Sequence, residues 1–168
     1  MSLGRAHDAL LIRRTLDVIS PVADKVILHF YSLLFIRAPE LRPLFPVAMD
    51  AQRDQLLNGL LTAVRYLGNP DVLVGYLQNL GRSHRKYGTR AEHFPVVGEC
   101  LLLALRKYAA AVWEQETEAA WRRAYTTISQ VMIDAAAADA LHAPAWWYGE
   151  IVAHELRTRD VAVLTVRP

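Results

Sequence analysis

The chain has 168 residues, of which 53% are hydrophobic and 21% charged, and this composition fits one globular domain with a sizeable core. Its 19 basic and 17 acidic residues are scattered, so nucleic acid is not expected as a partner. The single cysteine, Cys100, excludes an internal disulfide, fits a reducing compartment and is most simply a small buried hydrophobe. No apolar run approaches the roughly 18 residues of a membrane span, and the N-terminus lacks a signal-peptide layout. These features predict a cytoplasmic protein without a membrane partner.

Helical periodicity dominates the chain up to about residue 141 and predicts an all-α fold. An opening helix should end at Ser20-Pro21, where the serine is expected to cap a second helix that runs to about Arg37. An irregular corner with at most one short turn should follow, because three prolines break the chain within eight residues. These prolines are Pro39, Pro43 and Pro46.

Four more helices are predicted beyond this corner. Asp50 begins the first, which Gly68-Asn69-Pro70 should stop. Asp71 can cap the next, which runs to His84, with Gly88 as a natural terminator. Two long amphipathic helices follow Pro95, and Pro144 ends the helical region.

The last part of the chain changes from helical to strand-like periodicity. Residues 148–154 and 161–166 read as two strands that residues 157–160 connect. Two strands alone are marginal in water, so they indicate the first piece of a second domain. We therefore divide the chain into a helical domain, residues 1–142, and an incomplete second domain, residues 143–168.

Several segments, by their order and spacing, together resemble the globin domain of a bacterial flavohaemoglobin, of an actinobacterial kind. They are His29–Phe35 with Leu44-Phe45, Gln52-Arg53 with Leu56, Leu80–His84 through Gly88, Phe94–Glu99, and Ala120-Trp121 with Ala124-Tyr125. The resemblance covers about residues 8 to 141 and implies a globin fold with a short β-hairpin-like tail. Residues 145–167 are similar to the opening strands of the flavin-binding barrel that follows in that family, so the chain is expected to stop just inside that domain.

The resemblance implies a haem b site. His84 matches the proximal ligand, a neutral imidazole in an apolar pocket. Tyr31 matches the distal tyrosine, whose hydroxyl would stabilise bound dioxygen by a hydrogen bond, and Gln52 is a second donor. Leu56 lies one helical turn beyond Gln52 and would crowd the ligand site, and Phe45 would stack on the porphyrin.

Two positions depart from the family near the proximal histidine. Flavohaemoglobins have a tyrosine and a glutamate there, and their hydrogen bonds give the histidine imidazolate character. Phe94 and Ala136 stand at the matching positions, beside the cofactor, and neither side chain can donate or accept. Asp134 is near but lies on another side of its helix. The imidazole should therefore be neutral and held by backbone carbonyls.

Each of these residues also has a plainer interpretation. A lone histidine in an apolar helix is usually a packing or surface residue. Tyr31 and Phe45 could be ordinary core aromatics, and Gln52 could be an exposed helix residue. The other five histidines match no ligand position; they are His7, His29, His93, His142 and His154.

The resemblance leaves two functions open. In the first, the protein binds dioxygen and nitric oxide and, with electrons from a separate flavin reductase, converts nitric oxide to nitrate. In the second, it is a non-catalytic module that binds or senses a diatomic gas or haem. The chain lacks the flavin and nicotinamide motifs of the family, so it is expected to be a fragment or a short form that needs an external reductase.

Overall fold

The computed structural model describes residues 2–66 and 69–168, and over these residues it contains six α-helices and a two-stranded antiparallel sheet. This architecture confirms the predicted all-α fold with a short β tail. Gly68, expected to help stop the third helix, lies outside the described residues. The elements are α1 (Ser2–Ile19), α2 (Ala23–Arg37), α3 (Asp50–Arg65), α4 (Pro70–His84), α5 (Phe94–Tyr108), α6 (Gln115–Ala140), β1 (Glu150–Leu156) and β2 (Ala162–Arg167).

Two predicted helix caps are wrong. Ser20 does not cap α2 but opens the short 3-10 helix Ser20–Val22, and α2 begins only at Ala23. Asp71 does not cap α4, because the helix already begins at Pro70, whose fixed φ suits the first helical position. Asp71 instead lies in the first turn, where its charge is favourable near the positive end of the helix dipole.

The corner after α2 is more regular than predicted. Residues Pro39–Leu44 form a 3-10 helix, which exceeds the single short turn expected from the prolines. A 3-10 helix tolerates Pro39 at its start because the first N–H groups of a helix have no internal partner. Gly88 meets its prediction: it has a φ of +78° and ends the 3-10 turn Arg85–Tyr87 that follows α4.

The core lies between α1, α2, α5 and α6. Ile12, Leu34 and Leu105 are almost completely buried, as is Cys100, whose thiol has a pKa raised by burial. One buried polar pair crosses this core: Trp121 Nε1 donates to Thr15 Oγ1 at 3.1 Å, and Thr15 in turn donates to a backbone carbonyl of its own helix. These groups are therefore buried without losing a hydrogen bond.

Helix α4 packs closely against α6, which positions the end of α4. A Cβ atom on Gly81 would lie 2.3 Å from the carbonyl oxygen of Met132, so only glycine allows this approach. Near the start of α5, Tyr125 on α6 fits against Gly98 and donates its hydroxyl to the carbonyl of Phe94 at 2.7 Å. Residue His84, at the end of α4, is thus held beside α5 and α6.

One stretch, Ala6–Arg37, is apolar and long enough to cross a membrane by length and composition alone, which the sequence analysis did not anticipate. The stretch comprises most of α1 and all of α2, separated by the 3-10 turn that contains Pro21. Core residues such as Ile12, Val26 and Phe30 lie in this stretch, but only 33% of its most apolar window is buried, so packing within the protein accounts for part of its composition.

Candidate functional site

His84 ends α4 with its ring oriented by the backbone of the same helix. Its Nδ1 lies 2.8 Å from the carbonyl oxygen of Leu80. A carbonyl can only accept, so Nδ1 carries the proton and Nε2 keeps its lone pair. Nε2 makes no hydrogen bond to any residue that the structure describes. Burial lowers the pKa of His84, so the ring is neutral at neutral pH and can ligate a metal through Nε2.

A cavity of about 250 Å³ lies against His84, between α4, α5 and α6. Phe94 and Ala136 both line this cavity, so the structure brings them to the histidine whose surroundings they were expected to form. Asp134 does not line it, and its carboxylate accepts a hydrogen bond from Gln130 at the exposed surface. The polar partner of the imidazole is therefore the Leu80 carbonyl.

Tyr31 lies on α2 and is 5% exposed. Aromatic rings surround it, with centroid distances of 4.9 Å to Phe30, 5.8 Å to Phe35 and 5.6 Å to Phe45. Its hydroxyl donates to the backbone carbonyl of Gln52 at 3.3 Å, which is long for an O–H···O bond. Burial raises the pKa of Tyr31, so the hydroxyl remains a donor at neutral pH.

The structure brings Gln52 to Tyr31, but through its backbone carbonyl and not its amide. Gln52 lies in the first turn of α3 and is half-buried. Leu56 follows one turn later on α3, and Phe45 lies in the extended segment after the corner; both pack partly buried against the core. The predicted distal residues thus form one group on α2, α3 and the corner, while His84 lies on α4.

The donor set fits a haem better than a bare metal ion. Within the described residues, no three His, Cys, Asp or Glu side chains are grouped where they could hold a metal. A bare transition-metal ion needs three or four protein ligands, whereas a haem supplies four nitrogens and needs one axial imidazole. His84 offers that nitrogen, and Phe45 and Leu56, which were predicted to contact the cofactor, are half-buried apolar side chains.

Sequence reasoning missed two arginines near this site. Arg85, next to His84, pairs with the Asp139 carboxylate and donates to the Ala143 carbonyl at 2.8 Å. Arg42, in the corner, donates to backbone carbonyls that follow Phe45. No local sequence signal identifies either contact, because the partners of Arg85 are more than fifty residues away and carbonyl acceptors have no residue signature.

Comparison with known proteins identifies the class. The globin family model matches residues 28–132, which is more than half of the chain. The flavohemoprotein of Bacillus cereus is 31% identical over 126 residues, covering 73% of this chain and 31% of that protein. The flavohemoprotein of Pseudomonas aeruginosa is 32% identical over 137 residues, covering 79% and 35%. The chain thus spans about a third of the length of these relatives.

Comparison with solved structures also finds globins. An engineered carbene transferase, derived from a Rhodothermus marinus protein suggested to be a nitric oxide dioxygenase, is 26% identical with a TM-score of 0.73, covering 84% of this chain and 96% of that one. A globin of Campylobacter jejuni, at 23% identity and a TM-score of 0.71, covers 80% and 98% and supports the fold. The chain belongs to the globin family, and its globin domain resembles those of flavohaemoglobins. Family membership implies that it binds haem.

Proposed function

We propose that the chain is a haem b domain that binds dioxygen and nitric oxide and, when a flavin reductase supplies electrons, oxidises nitric oxide to nitrate. One observation carries this proposal: within a globin fold, His84 presents an unprotonated Nε2, and α2 carries the buried hydroxyl of Tyr31. His84 would hold the iron, Phe45 and Leu56 would contact the macrocycle, and Phe94 would pack beside the proximal ring.

A haem held by His84 would supply an iron centre for the reaction of dioxygen with nitric oxide, and one electron per cycle from the reductase would balance the formation of nitrate. His84 contributes a neutral imidazole, because its only ring proton is donated to the Leu80 carbonyl. His84 is the single metal ligand that we assign to the protein.

Tyr31 contributes a hydrogen-bond donor on the distal side. Its hydroxyl can turn away from the Gln52 carbonyl at little cost, since that bond is 3.3 Å long. In a pocket of low dielectric constant, a donor aimed at a polar ligand is stronger than in water. The side-chain amide of Gln52, the third residue of α3, is the second donor that we assign.

A second candidate function is reversible gas binding or sensing without turnover, and one observation favours it. The acceptor for the His84 ring proton is a neutral carbonyl, and neither Phe94 nor Ala136, which both line the adjoining cavity, can accept a hydrogen bond from the ring. A neutral imidazole donates less electron density to iron than one with imidazolate character. This arrangement favours holding a ligand over activating it.

We also propose that residues 143–168 begin a second domain and that the reductase acts from elsewhere, in the cytoplasm. Every residue of β1 and β2 is exposed, which suits strands that would be covered by further chain or by a partner. The flavohemoprotein relatives extend well beyond the matched region, which supports a reductase as partner.

Rapid mixing tests the proposal. The haem-loaded protein is reduced, saturated with oxygen and mixed with nitric oxide, first alone and then with NADH and a supplied flavin reductase. One nitrate per haem in the first mixture and many in the second are expected. One nitrate without further turnover would favour the second candidate, and no nitrate in either mixture would contradict the proposed reaction. The same mixtures with Tyr31→Phe show whether the Tyr31 hydroxyl contributes to the reaction.

A further inference from the structure

The guanidinium of Arg42 donates hydrogen bonds to backbone carbonyls of the segment after the corner. Its Nη1 donates to the carbonyls of Phe45 at 3.1 Å and Pro46 at 3.0 Å, and its Nη2 donates to that of Val47 at 3.3 Å. Among the residues that the structure describes, Arg42 forms no ion pair with a carboxylate. Its charge therefore serves to hold these carbonyls.

This contact matters because residues 45–49 form neither helix nor strand. Backbone carbonyls in such a segment have no regular partners, and one planar guanidinium holds three of them together. The Phe45 N–H also donates to the Arg42 carbonyl at 3.2 Å. The side chain and the backbone carbonyl of Arg42 thus both hold the backbone of Phe45 in place.

Phe45 in turn fixes the ring of Tyr31. The Arg42 guanidinium carbon lies 5.1 Å from the centroid of the Phe35 ring, and Phe35 meets Phe45 edge-on at 5.3 Å. Phe45 meets Tyr31 edge-on at 5.6 Å. Because the hydroxyl bond of Tyr31 is long, packing against these rings determines where the hydroxyl points.

We propose that Arg42 is a positioning residue that sets the direction of the Tyr31 hydroxyl through Phe45, and thereby the preference of the site for a polar diatomic ligand over a less polar one. This inference rests on the proposed function, in which Tyr31 donates to bound dioxygen. Lysine cannot replace Arg42, since its single ammonium cannot hold three carbonyls in one plane.

Arg37 provides a matched control. It lies at the end of α2, five residues before Arg42, but its side chain is 46% exposed and pairs with Glu99 at 3.7 Å. Replacing Arg37 removes the same charge from the same region without touching the segment after the corner. Exposed pairs of this kind contribute little to stability.

The experiment compares Arg42→Ala, Arg42→Lys and Arg37→Ala as haem-loaded proteins. The dissociation rates of oxygen and carbon monoxide are measured by rapid mixing, together with the stretching frequency of bound carbon monoxide. Loss of a directed hydrogen bond should raise the ratio of the oxygen rate to the carbon monoxide rate roughly three- to thirtyfold in Arg42→Ala. Arg37→Ala should keep the wild-type ratio. In a Tyr31→Phe background, Arg42→Ala should change the ratio less than about twofold.

Hydrogen exchange gives a readout that does not depend on a gas. The amide of Phe45 should exchange faster in both Arg42 variants and at the wild-type rate in Arg37→Ala. Faster exchange with an unchanged gas ratio, while Tyr31→Phe does change it, would overturn the inference and leave Arg42 a structural residue only. An unchanged ratio in Tyr31→Phe would instead overturn the distal role of Tyr31, and this inference with it. If Arg42→Ala does not fold, Arg42→Lys decides the question.

Discussion

His84 donates its ring proton to a neutral carbonyl, and this choice of acceptor determines how much electron density the ring can give to a metal. The Leu80 carbonyl lies one turn earlier in the same helix, so the ring orientation depends on local backbone geometry. A carboxylate acceptor would pull the proton further from the ring. In its proposed role as the iron ligand, His84 would therefore be a donor of moderate strength, which suits reversible binding at least as well as catalysis.

Tyr31→Phe removes one donor from a buried site. The oxygen dissociation rate should rise roughly five- to hundredfold, from the loss of about 1–3 kcal/mol, and that of carbon monoxide much less. Rapid-mixing measurements of both gases test this. Equal changes for both would show that Tyr31 acts only by its bulk.

The oxygen dissociation rate of the wild-type protein should also be independent of pH between about 6 and 9. Burial raises the pKa of the Tyr31 hydroxyl above its ordinary value of 10.0, so the donor form is present throughout that range and would be lost only at higher pH. The same rapid-mixing measurement at several pH values checks this. A rate that rose within this range in the wild type but not in Tyr31→Phe would mean that the hydroxyl ionises there.

The residues of the site were predictable to different degrees. His84 and Tyr31 could be named from the resemblance, because each stands within a segment of recognisable order and spacing. The role of the Gln52 backbone carbonyl could not be predicted from the sequence, because every residue type has that group. Arg42 was also beyond sequence reasoning: its acceptors are backbone atoms, and their positions depend on how the corner folds.

At the scale of elements, the contact between α4 and α6 depends on Gly81. Gly81→Ala would place a methyl group 2.3 Å from the Met132 carbonyl oxygen, so one helix must shift. We expect a loss of about 3 kcal/mol in the free energy of unfolding, and weaker haem retention because His84 moves with α4. Urea unfolding and haem transfer to an acceptor protein measure the two effects.

Gly75→Ala is the matched control on the same helix. A Cβ at Gly75 meets no atom within 4 Å, so the substitution should stabilise the protein by about 0.5–1 kcal/mol through helix propensity. Equal effects at the two glycines would contradict the close approach of α4 and α6.

The ion pair between Arg85 and Asp139 is a second link between these helices. The Arg85 side chain is 12% exposed, so Asp139→Ala leaves a largely buried guanidinium without its carboxylate. We expect the free energy of unfolding to fall by about 2 kcal/mol. The loss is limited to this size because Arg85 keeps its hydrogen bond to the Ala143 carbonyl. Asp134 is exposed and lies five residues earlier on α6, so Asp134→Ala should change the free energy of unfolding in urea by less than about 0.5 kcal/mol. A similar loss in both variants would mean that the pair has no particular role.

The positions of the helices were predictable from periodicity, because a core-facing apolar stripe repeats with the helical period. The residues at which the helices begin were less predictable. Helix α4 begins at Pro70 and not after a cap at Asp71, and a 3-10 turn that contains Pro21 delays the start of α2 to Ala23. Contacts between α4 and α6 were not predictable, since a glycine within a helix does not identify the backbone it faces.

At the scale of the whole molecule, the helical body and the hairpin differ in burial. The strands pair in an antiparallel register with an irregularity between Ile151 and Ala153, and all their residues are exposed. Trp146 and Trp147, whose large aromatic side chains could anchor a packed tail, are each 57% exposed. The change of periodicity predicted these strands, but not whether the helical body would cover them.

Removing the residues after Leu141 should leave haem binding and the oxygen dissociation rate nearly unchanged, because every residue assigned to the site precedes that point. The shortened protein loses the bond from Arg85 to the Ala143 carbonyl, which should lower the free energy of unfolding by about 1 kcal/mol. Haem titration and urea unfolding of both forms check this. A large loss of haem affinity would show that the tail contributes to the site.

The 168-residue chain should also contain haem but no flavin, and should not oxidise NADH alone. Flavin binding needs a closed barrel that encloses the ring and phosphates, and a hairpin of two strands does not provide one. Absorbance spectroscopy and an NADH assay measure both. Stoichiometric flavin, or NADH oxidation without added reductase, would contradict the expectation.

The most direct test of the account is haem binding by His84→Ala, compared with wild type and with His93→Ala. His93 lies nearby in the 3-10 turn before α5, where its Nδ1 accepts a hydrogen bond from the Arg90 N–H, so it controls for the loss of an imidazole. Titration of each apoprotein with haem, followed by the absorption spectrum after reduction, should show normal binding in His93→Ala and loss of most binding in His84→Ala. A wild-type affinity and reduced spectrum in His84→Ala would contradict the assignment of His84 as the iron ligand.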